Sequence, residues 1–247
     1  MLLKDKTAVI TGCNRGIGAA MLEVFATHGA SVFACARAES KEFSTRIEQI
    51  SDRTNTTITP FYFDLAHADQ VKDVARQIIS TKEKIDVLVN NVGIASGELF
   101  QMASVQNMKN VFEVNFFSTL LLTQPLARYM GRFQAGSIIN IASVVGIIGE
   151  VGTVAYGSSK AALIHATKTM ATELGEKNIR VNAIAPGITK TGMFDQMDPS
   201  AREKLMSSSS LKRPAEAHEI AHVALFLASD LSSYMTGQVL RVDGGII

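Results

Sequence analysis

Short apolar runs alternate along most of the chain with longer stretches of helical spacing. Residues 7–11 form an apolar run closed by Gly12, and from Ile17 the spacing carries Met21, Val24 and Phe25 to one side of a helix that stops near Gly29. Residues 31–36 predict a second strand and 39–51 a helix; 57–63 predict a third strand, 69–82 a helix and 85–89 a fourth strand. A long helical region spans 104–132. Beyond it, 137–142 predict a fifth strand and 154–175 a long helix with an apolar stripe through Ala162, Ala166 and Met170. Residues 179–185 predict a sixth strand, 217–228 a helix and 238–242 the last strand. The strands show little strict alternation, as expected when parallel strands are covered on both faces. The order predicts a doubly wound α/β fold with a mostly parallel sheet and right-handed crossovers.

The segment from Pro186 to Pro214 breaks this rhythm, with Pro199 and the run Ser207-Ser208-Ser209-Ser210. It leaves the carboxyl end of a strand, where open α/β sheets bind ligands, so a substrate lid over about 188–212 is expected, with a short helix around 201–206. No composition break or repeat divides the chain, and residues 1–247 are read as one domain.

Composition narrows the function. The 24 Lys and Arg against 23 Asp and Glu leave a net charge of +1, and without a long basic tract the chain is not read as a nucleic-acid binder. No run approaches the ~18 apolar residues of a membrane span, and the first residues lack the apolar core of a signal peptide, so no membrane is expected and the cytoplasm is the expected compartment. Cys13 and Cys35 fall on or beside neighbouring strands, where the thiols could lie fairly close; small buried hydrophobes are the expected reading.

Candidate chemistry begins at Thr11-Gly12-Cys13-Asn14-Arg15-Gly16-Ile17-Gly18, between a strand and a helix. Glycines there permit a tight turn and let a pyrophosphate approach backbone N–H groups at a helix start. Arg37 ends the second strand where an NAD site commonly places an acid; with Arg15 it suits a ribose 2′-phosphate, which favours NADP(H) over NAD(H). Asp64 and Leu65 close strand three; the acid could accept from an adenine amine or cap the following helix.

Tyr156 and Lys160 stand one helical turn apart, Ser143 follows strand five, and Asn115 lies in the preceding long helix. A phenol can pass a proton to or from a substrate oxygen as hydride moves, and a nearby ammonium lowers the cost of the phenolate. Ser143 would orient the substrate oxygen, and Asn115 would position backbone or water in a proton relay. A serine hydrolase needs a histidine relay, which the scattered histidines do not supply; His218 and His222 lack the glutamate spacing of a zinc protease, and no metal is expected.

In order and separation these residues, with Asn90-Asn91-Val92-Gly93, Tyr156-Gly157-Ser158-Ser159-Lys160 and Pro186-Gly187, resemble the typical short-chain dehydrogenase/reductase family over essentially the whole chain. The resemblance implies a Rossmann-like, seven-stranded parallel sheet in the order 3-2-1-4-5-6-7, and Asn115, Ser143, Tyr156 and Lys160 as a catalytic tetrad. It further implies that Asn91 and Gly93 line the cofactor, while Pro186, Gly187, Thr189 and Thr191 approach its nicotinamide side. Within the family, Asn14-Arg15-Gly16-Ile17-Gly18, Asn182-Ala183-Ile184-Ala185-Pro186-Gly187 and the tail from Tyr234 to Gly245 are most similar to 3-oxoacyl-(acyl carrier protein) reductases, which implies a homotetramer. A carrier-linked substrate calls for basic residues near the entrance; Arg132, Lys168 and Lys177 are available, although Gln134 and Thr172 are neutral and Glu173 and Glu176 acidic. Ile94, Glu150 and Val151, with Ser143 and Tyr156, are the expected substrate contacts. The competing readings are an NAD(P)-dependent enzyme of a small ketone, polyol or sugar, and a nonenzymatic dinucleotide sensor.

Overall fold

The structure, a computed structural model, describes residues 1–195 and 199–246. Seven strands, β1 (Thr7–Thr11), β2 (Ser31–Ala36), β3 (Ile58–Tyr62), β4 (Val87–Asn90), β5 (Gly136–Ile141), β6 (Ile179–Pro186) and β7 (Val239–Val242), form one sheet. All neighbours pair in parallel, in the order β3-β2-β1-β4-β5-β6-β7. Helix crossovers carry the chain to β3 on one side and β7 on the other, so the direction reverses between β1 and β4 and a crevice opens at their carboxyl ends.

The helices are α1 (Gly16–Thr27), α2 (Lys41–Thr54), α3 (Ala68–Ser80), α4 (Val105–Phe112), α5 (Ser118–Met130), α6 (Val154–Leu174), α7 (Gly192–Asp195), α8 (Pro199–Ser208) and α9 (Ala217–Ala228). One apolar layer joins Met21, Leu22 and Phe25 of α1 to Ile220, Ala224 and Leu227 of α9. The other joins Val71, Val74 and Ile78 of α3 to Leu122 and Leu126 of α5. Every residue of β1 and β4 is buried, which explains the apolar runs Ala8–Ile10 and Val87–Val89 at their centres. Cys13 belongs to the first layer and Cys35 to the second, so although their backbones hydrogen-bond at 2.9 Å, the side chains enter different layers. Burial raises both thiols well above their ordinary range, that of Cys35 to about 12.

Two elements depart from the sequence expectation. The helical region at 104–132 is broken by a π-helical turn, Glu113–Phe117, that carries Asn115. In α6 the buried side is Leu163, Thr167 and Ala171, one residue on from the expected stripe of Ala162, Ala166 and Met170, which is half-buried. Polar Lys160 and Thr167 join the buried side because each has an internal partner: Lys160 Nζ donates to the Ile141 carbonyl and Thr167 Oγ1 accepts from Asn140 Nδ2, both at 2.8 Å. Hydrophobic spacing registers neither bond. The expected lid contains α7 and α8, the latter longer than the 201–206 foreseen; its residues 196–198 lie outside the described residues.

Candidate active site

The glycine turn is held from behind by the segment after β4. Asn91 Nδ2 donates to the Thr11 carbonyl at 2.9 Å, and Thr11 Oγ1 accepts from the backbone N–H groups of Asn91 and Val92 at 2.8 and 3.2 Å. Gly12 and Gly16 adopt φ of +74° and +58°, where a side chain is strained, and a Cβ at Gly18 would lie 2.0 Å from the Gly12 carbonyl oxygen. Asn14 and Arg15 form the exposed top of the turn, and Ile17 packs beneath it against the first apolar layer. The turn therefore presents backbone rather than side chain to the crevice, as a bound pyrophosphate requires.

Beside the turn lies a cavity of about 240 Å³, whose lining includes Thr11, Gly12, Arg37, Asp64, Leu65 and Ile94. Leu65 is buried and Asp64 half-buried. Asp64 Oδ1 accepts from the Ala66 N–H at 2.9 Å, which fixes a local turn rather than capping α3, whose N-cap is His67. Arg15 and Arg37 are exposed, and among the described residues neither guanidinium has a hydrogen-bond or ion-pair partner. Glycine turn, apolar-backed cavity and free cations together fit a dinucleotide.

Across the crevice, Gly187 donates its N–H to the Val242 carbonyl at 3.0 Å, and a Cβ there would come within 2.7 Å of Asp243 Cα. Pro186 ends β6, and Thr189 Oγ1 donates back to the Gly187 carbonyl at 3.2 Å. Thr191 reaches the glycine turn: a Cβ on Gly16 would meet its Cγ2 at 3.2 Å. The two edges of the expected cofactor site thus touch.

At the start of α6, half-buried Tyr156 lies beside Ser143. Burial pushes the phenol above its ordinary range, and the neighbouring Ser143 hydroxyl works against that rise. Lys160 Nζ lies 5.9 Å from the centre of the Tyr156 ring, and Gly93 leaves it room, since a Cβ there would stand 3.0 Å from Nζ. Burial brings this ammonium down to about 8. Asn115 is fully buried; its Oδ1 accepts from Ile94 N at 2.8 Å, and its Nδ2 donates to the Ile94 carbonyl at 2.9 Å and to Ser159 Oγ at 3.0 Å. Ser159, which residue type alone does not single out, in turn donates to the Tyr156 carbonyl at 2.7 Å. Its signal was helical: Tyr156, Ser159 and Lys160 share one side of α6.

The expected substrate contacts do not converge on one cavity. Ile94 lines the smaller one, whereas Glu150 and Val151 line a second cavity of about 690 Å³ with Leu99, Phe100 and Ile147, which lacks Ser143 and Tyr156. Two of the basic residues expected at the entrance, Arg132 and Lys177, also sit elsewhere. Arg132 stacks on Tyr129 just after α5, and Lys177 follows α6. Both lead into the amino ends of β5 and β6, the edge opposite Tyr156 in the same chain. Sequence proximity to a catalytic helix says nothing about which end of it faces the crevice.

A family whose profile matches residues 12–247 is described as Enoyl-(Acyl carrier protein) reductase. The chain is similar to a 3-oxoacyl-(acyl carrier protein) reductase of Thermotoga maritima, 40% identical over the full length of both proteins. Its fold superimposes on a 7 alpha-hydroxysteroid dehydrogenase complexed with NADH and 7-oxo glycochenodeoxycholic acid, with a TM-score of 0.90, 33% identity and coverage of 99% of this chain and 95% of that one. The L-sorbose reductase of Gluconobacter frateurii, complexed with NADPH and L-sorbose, gives a TM-score of 0.91 at 29% identity, covering 99% and 97%.

Proposed function

The chain belongs to the short-chain dehydrogenase/reductase family, and from that premise we propose that it is an NADP(H)-dependent reductase of 3-oxoacyl thioesters, yielding the 3-hydroxyacyl form. The observation that carries the chemistry is the Tyr156 phenol beside Ser143, with the buried Lys160 ammonium 5.9 Å from its ring centre and one turn along the same helix. The reductase of Thermotoga maritima, matched end to end, supports the substrate class.

The nicotinamide cofactor, when bound, supplies the hydride to the carbonyl carbon. Ser143 donates to the substrate oxygen and orients it. Tyr156 delivers its hydroxyl proton to that oxygen as negative charge develops there. A desolvated phenol holds its proton firmly, which suits an acid; the Lys160 charge, still present at neutral pH, makes its release affordable in the transition state. Asn115 ties the loop at Ile94 to Ser159 and so fixes the wall of the crevice against α6. Arg37, which lines the adenosine cavity, and Arg15, exposed on the adjoining glycine turn, hold the ribose 2′-phosphate that distinguishes NADP(H), because neither guanidinium has an anion among the described residues to satisfy it. Asp64 keeps one carboxylate oxygen beyond its own turn to accept from the adenine.

We read the protein as a cytoplasmic homotetramer with an acyl carrier protein as the donor of its substrate. Exposed apolar side chains at Phe100, Met102, Val105 and Phe117 support self-association. Steady-state comparison of an acetoacetyl thioester with free small ketones and polyols, each with phosphorylated and unphosphorylated cofactor, tests the assignment. Higher kcat/KM for the thioester with NADPH is expected. A preference for free carbonyls, the chemistry of the sorbose and steroid enzymes, would reject the thioester role.

A further inference from the structure

Lys204 of α8 extends its Nζ to within 3.1 Å of Glu150 Oε1, on the loop that follows Ser143. The two residues belong to segments leaving the carboxyl ends of adjacent strands β6 and β5, the edge that holds Gly187 and Ser143, so the pair joins the two rims of the crevice. Each partner is held in place by its surroundings. Arg202 donates to the Phe194 carbonyl at 2.8 Å and stacks 4.2 Å above its ring, while past the end of α8 the Ser209 and Ser210 hydroxyls donate to the Gly244 and Gly245 carbonyls at 2.9 and 3.1 Å. Glu150 Oε1 also accepts from Val151 N at 3.2 Å, and its carbonyl accepts from Thr153 N and Oγ1.

Other cations of the chain after β6 are engaged near their own positions: Lys190 pairs with Glu216, Arg213 with Glu219 and Arg202 with Phe194. Lys204 is different, because its anion lies across the crevice. With side-chain exposures of 65% and 23%, the Lys204–Glu150 pair is weak and exchangeable, in the class of surface ion pairs worth at most about 1 kcal/mol. A phosphate on the substrate's arm can exchange with the carboxylate for this ammonium: a coenzyme's diphosphate carries more negative charge than the carboxylate, and a carrier's phosphodiester carries the same. We infer that Lys204 is the specificity-determining cation for the phosphate on the arm of a carrier- or coenzyme-bound thioester, and that Glu150 stands in for that phosphate until the substrate arrives. The inference rests on the thioester reading above. Within one chain Lys204 lies at the edge of the sheet that carries Ser143, whereas Arg132 and Lys177 lie at the other.

The test compares acetoacetyl-coenzyme A, which carries phosphate, with acetoacetyl-N-acetylcysteamine, which carries none, in the unaltered protein, Lys204→Met and Glu150→Gln. The ratio of the two KM values, coenzyme A thioester over the phosphate-free one, is expected to rise about three- to five-fold in Lys204→Met and to fall in Glu150→Gln, where the competing anion is gone. A ratio unmoved in both variants, or moved the same way in both, overturns the inference and leaves the thioester reading standing. If the unaltered protein reduces neither thioester, that reading falls and the inference with it.

Discussion

Tyr156 and Lys160 are neighbours whose titrations burial drives in opposite directions, the phenol up and the ammonium down to about 8. Replacing Tyr156 with Phe removes the proposed proton donor while keeping the ring, so kcat/KM is expected to fall by about 10²- to 10⁴-fold, with cofactor affinity by fluorescence titration changed only slightly; retained turnover would sink the assignment. The buried Lys160 has a stability consequence of definite sign. Its folded value of about 8 lies below that of an unfolded lysine, so the unfolded chain binds the proton more tightly and the penalty is fully present below pH 8. As pH rises from about 8 to 10 the penalty is released, and the unaltered cofactor-free protein should gain on the order of 2 kcal/mol relative to Lys160→Met. Denaturant unfolding of both proteins across that window checks it, and a difference that stays flat with pH contradicts the assigned burial.

At the scale of elements, the site depends on close approach. The strand–turn–helix unit β1–α1 survives only with glycine at 18, because a Cβ would sit 2.0 Å from the Gly12 carbonyl oxygen. Gly18→Ala is therefore expected to weaken cofactor binding at least about ten-fold and to lower stability by about 1–3 kcal/mol, read by titration and thermal denaturation of the same preparation. The π turn at Glu113–Phe117 is a second such device: it interrupts the α4–α5 run where Asn115 makes three side-chain hydrogen bonds to Ile94 and Ser159. Asn115→Ala takes away the fully buried amide that holds the Ile94 backbone, leaving the Ile94 N–H without its acceptor, a loss of about 1–3 kcal/mol, and should loosen the crevice wall enough to raise the KM for cofactor as well as lower kcat.

For the whole molecule, the proposed cofactor site is assembled from both halves of the sheet, so a ligand filling it should act as a clasp. NADPH at about 100 times its Kd is expected to stabilise the fold by roughly 3 kcal/mol, a rise in melting temperature of about 5–10 °C for a chain of this size. Arg37→Ala should lose most of the NADPH-induced rise but keep that produced by NADH; an equal loss with both would deny Arg37 a role at the 2′-phosphate. Sedimentation should give about four times the chain mass of 26.6 kDa, and a monomer would refute the tetramer. Much of this was already written along the chain. Alternating apolar runs and helical spacings determined the strand order of appearance and nearly every element, because burial on both faces of a parallel sheet leaves a local imprint. The glycine turn, Tyr156, Lys160 and Ser143 were equally legible, since steric freedom and titration belong to residue type. The tertiary structure alone decided which groups are buried with partners, as for Lys160, Thr167 and Ser159, which layer each cysteine enters, and which edge of the sheet Arg132 and Lys177 occupy. It also decided that Glu150 meets Lys204, 54 residues away. Such pairings depend on where distant segments leave the sheet, and that distance through space has no counterpart in local spacing.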